Sequence, residues 1–141
     1  MRGVTLPEIT TVLLIVGAMA SVAVPPARRF LDRAAVWGAA DRLGSVHEGA
    51  RHRAISEGRL ARYEVDPPAA RLTVSQRSPS GTWDTLKVVL LGAVRVTATQ
   101  RTVTFDPLGI GYGASNTTIV LLSGTAAETL TVSRTGRLRR W

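Results

Sequence analysis

The chain has 141 residues, enough for one modest domain with appendages. Its composition is 45% hydrophobic and 20% charged, which excludes wholesale disorder, and the absence of cysteine excludes disulfides, thiolate nucleophiles and cysteine-containing metal sites. Eighteen basic against ten acidic residues leave a formal charge of +8, a balance that favours anionic partners such as nucleic acid or lipid head groups.

In chain order, the first element is apolar. Residues 9–27 carry no charge, and the 21 residues 4–24 form a helix of about 30 Å at ~1.5 Å per residue, the thickness of a bilayer core. One crossing is possible. Glu8 stands beside that run, where a lone carboxylate in lipid costs on the order of a few kcal/mol unless it is partnered. Two explanations follow from the residues themselves: an ordinary anchor with Glu8 at head-group level, or a secretory signal peptide cut after Ala18-Met19-Ala20.

The pair Pro25-Pro26 predicts a break or kink, after which residues 28–57 read as a second helical stretch. There Val36, Ala39, Ala40, Leu43, Val46, Ala50 and Ala54 recur at spacings of three and four, so this stripe is expected to pack on a sheet, with Gly58 as the C-cap. From Leu60 onward the period shortens to that of strands. Six or seven are expected, including residues 60–65, 72–75, 88–91, 102–105, 119–122 and 130–133, with turns at Asp66-Pro67-Pro68, Ser78-Pro79-Ser80-Gly81, Asp106-Pro107-Leu108-Gly109 and Ser123-Gly124. The order is α+β: a long N-terminal helix followed by an antiparallel sheet.

Catalytic signatures are absent from the sequence, and no enzyme activity, metal or cofactor is expected. His47 and His52 lack the i, i+4 spacing of a zinc pair and read as solvated or half-packed helix residues on different faces. Gly109-Ile110-Gly111-Tyr112-Gly113 has no helix after it to complete a phosphate cradle and reads as a hairpin loop. Arg134, Arg137, Arg139 and Arg140 alternate across a final strand that ends at Trp141, a ribbon of guanidinium forks suited to phosphate oxygens or, alternatively, a set of edge-strand charges that discourage aggregation.

The segment Gly3-Val4-Thr5-Leu6-Pro7-Glu8 followed by the apolar run resembles the class III signal of type IV pilins and type II secretion pseudopilins. Ala50-Arg51-His52-Arg53-Ala54-Ile55-Ser56-Glu57-Gly58 and the closing run from Thr104-Phe105-Asp106-Pro107-Leu108-Gly109 to Val132-Ser133-Arg134-Thr135-Gly136-Arg137 are similar to the GspH/FimT branch of minor pilins. Val4 stands where that family usually has Phe, and Pro7 where it has an aliphatic residue. The resemblance implies a leader at residues 1–3, cleavage by a prepilin peptidase after Gly3, and N-methylation of Val4. It further implies an assembly and membrane helix at 4–27, its amphipathic continuation at 28–57, and a β-rich periplasmic domain at 58–141. Glu8 falls at the family's hallmark glutamate, which pairs with the free amine of the neighbouring subunit in a filament. The implied role is a non-enzymatic, single-pass inner-membrane subunit of a secretion or pilus-type filament, whose partners are other pilins. Gly136-Arg137-Leu138-Arg139 also matches the G-R-x-R pattern of FimT minor pilins that bind DNA in transformation, which implies, as the alternative, double-stranded DNA held by Arg137 and Arg139 with Arg134 and Arg140 in support.

Overall fold

The computed structural model describes residues 5–113 and 115–141. The processing residues expected at Gly3 and Val4 lie outside the described residues. Helix α1 (Leu6–Glu57) is followed by eight strands: β1 (Ala61–Asp66), β2 (Arg71–Arg77), β3 (Trp83–Leu90), β4 (Arg95–Ala98), β5 (Thr102–Phe105), β6 (Thr117–Ser123), β7 (Ala126–Val132) and β8 (Leu138–Arg140).

α1 begins at the N-cap Thr5 and ends at Gly58, whose left-handed backbone (φ 61°, ψ 29°) lets its N–H turn back to the last carbonyls. Pro7 falls in the first turn, where its missing N–H has no intrahelical acceptor in any case. The break expected at Pro25 and Pro26 does not occur, and α1 continues through both. Each proline withholds one i→i−4 bond, and the ladder on either side carries the helix across.

The seven residues of the predicted stripe, Val36 to Ala54, are all buried. They rest on two four-stranded antiparallel sheets, in the orders β3-β2-β1-β5 and β4-β6-β7-β8, where a single sheet was expected. Two features hid this from the periodicity. β4 has four residues and one buried side chain, Val96, too short for alternation to register. β3 is exposed almost throughout, so its apolar run reads as buried when it is an edge. Tyr63, Val65, Leu72 and Phe105 of the first sheet and Ile119, Leu121, Leu130 and Val132 of the second close the core beneath α1.

Among the described residues, nothing covers the N-terminal half of α1. Leu6, Leu13, Leu14 and Met19 are between 64% and 79% exposed, and no part of the most apolar 18-residue window is buried. This stretch is long and apolar enough to cross a membrane.

Candidate functional site

The first candidate, Glu8, sits three residues into α1, where the partial positive charge of a helix N-terminus favours an acid. Its Oε2 accepts a 3.4 Å hydrogen bond from the Thr5 backbone N–H, the reciprocal half of a Thr-x-x-Glu capping box. The sequence carries that signal in Thr5-Leu6-Pro7-Glu8, but the apolar flank draws attention away from it. Among the described residues no cation lies within ion-pair distance of Glu8.

The second candidate is the arginine ribbon at the C-terminus. β8 pairs with β7 so that Leu138 faces Val132, Arg139 faces Thr131 and Arg140 faces Leu130. Because antiparallel partners share a face, Leu138 and Arg140 turn inward toward α1 and Arg139 turns outward. Arg140 is engaged there: its Nη1 donates to Asp41 at 2.8 Å and its Nε to Glu128, and the Glu128 bond holds its pKa above the usual range. Trp141 exchanges two backbone hydrogen bonds with Thr129, which places the terminal indole on the outer face beside Arg139. Arg137 is exposed one pair beyond, and Arg134 is exposed in the β7–β8 turn. Neither they nor Arg139 form an ion pair among the described residues.

The outer face of this sheet extends the ribbon. Arg95 on β4 pairs with Leu122, and Thr97, Thr118, Val120, Thr129 and Thr131 fill the rows between. β7's one carboxylate, Glu128, pairs with buried Leu121 and so lies on the inner face. Arg95, Arg137 and Arg139 thus share a surface whose strand positions carry no acid. Arg95 was missed because its strand was.

The turn that presents Arg137 is pinned from inside. His47, expected to be solvated or half-packed, is instead fully buried. Its Nε2 lies 3.0 Å from the Gly136 carbonyl, which only accepts, so Nε2 carries the proton; bare Nδ1 then accepts from the Tyr63 hydroxyl at 3.2 Å. Phe105 stands edge-on to the imidazole at 5.1 Å. The missed signal was spacing: His47 is four after Leu43 and three before Ala50, on the core stripe itself. His52, five residues on, is exposed, as the different-face reading required. The glycine-rich loop is likewise ordered against α1, with Asp106 Oδ1 accepting from the Leu108 and Ile110 amides and Arg51 Nε donating to the Gly109 carbonyl.

Burial lowers the His47 pKa below its ordinary value. The unfolded chain takes up the proton first, near pH ~6.5, so the contribution of neutral His47 is complete above that pH. It is lost as pH falls from there toward the folded-state pKa, at up to about 1.4 kcal/mol per pH unit. Urea unfolding of the wild type is expected to show this slope between pH 7 and 5.5, and His47→Leu to lack it. An identical slope in both would place the titration elsewhere.

Comparison with known proteins gives the arrangement its context. No family model matches the chain, and no curated protein matches it in sequence. Among solved structures, it is similar to the type IV minor pilin FimU of Pseudomonas aeruginosa, with a TM-score of 0.62 at 19% identity over 74% of this chain and 86% of that one. It is also similar to the minor pseudopilin EpsH from the type 2 secretion system of Vibrio cholerae, with a TM-score of 0.59 at 16% identity over 74% of this chain and 96% of that one.

The chain has the minor pilin and pseudopilin fold. Among the described residues, the apolar N-terminal end of α1 has no intrachain packing, whereas its C-terminal half and the two sheets share one core.

Proposed function

We propose that the chain is a minor pilin or pseudopilin subunit of a type II secretion or type IV pilus-type filament, with no enzymatic role. Residues 4–24 hold it in the inner membrane until assembly and then pack among neighbouring helices, with the β-domain on the periplasmic side. Prepilin peptidase cleaves after Gly3, and Val4 becomes the N-methylated mature terminus. Its free amine meets Glu8 of an adjacent subunit. The observation that carries the reading is the pairing of an exposed apolar helix segment with a carboxylate that has no ion-pair partner among the described residues. Apolar surface of that extent needs lipid or other helices to cover it, and the acid needs a charge. The test is filament incorporation of Glu8→Ala, which is expected to fall at unchanged expression; normal incorporation would remove the assembly role.

The outer face bearing Arg95, Arg137 and Arg139 favours a second reading, a FimT-like subunit that binds duplex DNA for uptake in transformation. Arg137 and Arg139 are the leading phosphate contacts and Arg134 supports them, while Arg140 belongs to the fold through Asp41 and Glu128. The exposed Trp141 ring borders the same surface. Each phosphate contact contributes about 0.9 to the slope of log affinity against log salt. Arg137→Gln with Arg139→Gln is expected to flatten that slope by about 2 and weaken binding. An unchanged slope would assign the arginines to the edge strand alone.

A further inference from the structure

Away from both candidate sites, a cleft of about 780 Å³ opens between α1 and the β2–β3 hairpin. We propose that it is a docking site for an extended, acidic segment of a partner polypeptide, laid along β3.

Three features of the cleft specify that occupant. Its floor is apolar, formed by Val46 and Ala50 of α1 with Val74 and Val89 of the hairpin, and it takes carbon rather than phosphate. Its rim carries two cations, Arg53 on the helix and Lys87 on β3, with the His52 imidazole beside them as a hydrogen-bonding group. The one acid on the rim, Asp41, is already paired with Arg140, so it does not offset them. Third, β3 is the outermost strand of its sheet and pairs only with β2, which leaves one row of backbone N–H and C=O groups for an added strand.

The surroundings keep the cleft open. The register of β2 and β3 shifts between Val74 and Ser75, so Leu86 is the extra residue of a bulge and stands 42% exposed at the mouth. Val88 and Leu90, 51% and 66% exposed, line the outer side of the same free edge. On the helix wall, Ser45, Gly49 and Ser56 are small, and a Cβ built on Gly49 would meet nothing within 4 Å. Arg42 closes one end, its Nη1 donating to the Leu91 carbonyl at 2.9 Å.

An added strand alternates its side chains between the two faces of the sheet. Apolar residues cover the floor and the edge at Val88 and Leu90, and carboxylates reach Arg53 and Lys87. A second copy of this chain suits the site poorly, because each copy carries a net charge of +8.

The test uses the full chain in detergent micelles and a fluorescein-labelled decapeptide of alternating Glu and Val, with the Gln-Val decapeptide as its uncharged twin. Fluorescence anisotropy is expected to give at least tenfold tighter binding of the Glu peptide, with a Kd that rises with salt. Gly49→Phe, which fills the cleft without touching a charge, and Arg53→Gln with Lys87→Gln, both exposed, are each expected to weaken it tenfold or more. Arg137→Gln with Arg139→Gln, on a different face, is expected to leave it unchanged and so separates this site from the proposed DNA surface. Equal binding of the two peptides, no binding of either, or full binding by Gly49→Phe would overturn the proposal. So would a loss of self-association in Gly49→Phe, since that result makes a second copy the occupant.

Discussion

Gly136→Val is expected to destabilise the β-domain by about 3 kcal/mol or more. Gly136 has φ 73°, a left-handed conformation that a β-branched residue rarely adopts. A Cβ there would also sit 3.0 Å from the Gly109 carbonyl oxygen and 3.1 Å from Phe105 Cε1, so the turn must move away from the core. Moving it removes the acceptor of the buried His47 Nε2–H, and an unsatisfied buried donor alone costs about 1–3 kcal/mol. Strain, overpacking and the lost bond therefore act together at one position. The measurement is the urea midpoint at pH 7, followed by tryptophan fluorescence. A loss below 1 kcal/mol would mean that the turn relaxes without disturbing His47.

The same turn separates what was legible in the sequence from what was not. The stripe from Val36 to Ala54 is legible because a helix that packs on a sheet repeats its apolar side chains every three or four residues, and all seven are buried. Gly58 is legible because few residues other than glycine adopt the left-handed cap. His47 fits the stripe by spacing and was set aside by residue type, since a buried imidazole depends on partners that arrive from Tyr63 and Gly136, 16 and 89 positions away. Local patterns hold no record of such partners. The strands divide on the same principle. β6 is readable because Ile119 to Leu122 form an apolar run, whereas β4 owes its place to pairing with β6 and carries too few residues to announce itself. The division into two sheets rests on the same long-range pairings. For the candidate sites, Glu8 and the arginine ribbon were visible as residue types in unusual places. The inward turn of Arg140 and the addition of Arg95 required the β7–β8 and β4–β6 registers.

The second large effect concerns Glu8, to which the proposed function adds a role separable from its helix cap. Within one chain its carboxylate accepts from the Thr5 amide and caps α1, a role that glutamine also fills in the same box. Between chains, the proposed assembly requires its charge, because an amine and a carboxylate brought together in an apolar filament core are tolerable only as a pair. Removing one member of such a pair costs about 3–5 kcal/mol, so incorporation is expected to fall by more than about a hundredfold. Glu8→Ala removes both roles, whereas Glu8→Gln retains the hydrogen-bond acceptor and discards the charge. The deciding measurement is the amount of Glu8→Gln subunit recovered in filaments, relative to wild type and Glu8→Ala at equal membrane abundance. Charge pairing between subunits predicts that Glu8→Gln fails as fully as Glu8→Ala; wild-type recovery of Glu8→Gln would reduce Glu8 to a helix cap and contradict assembly through its charge.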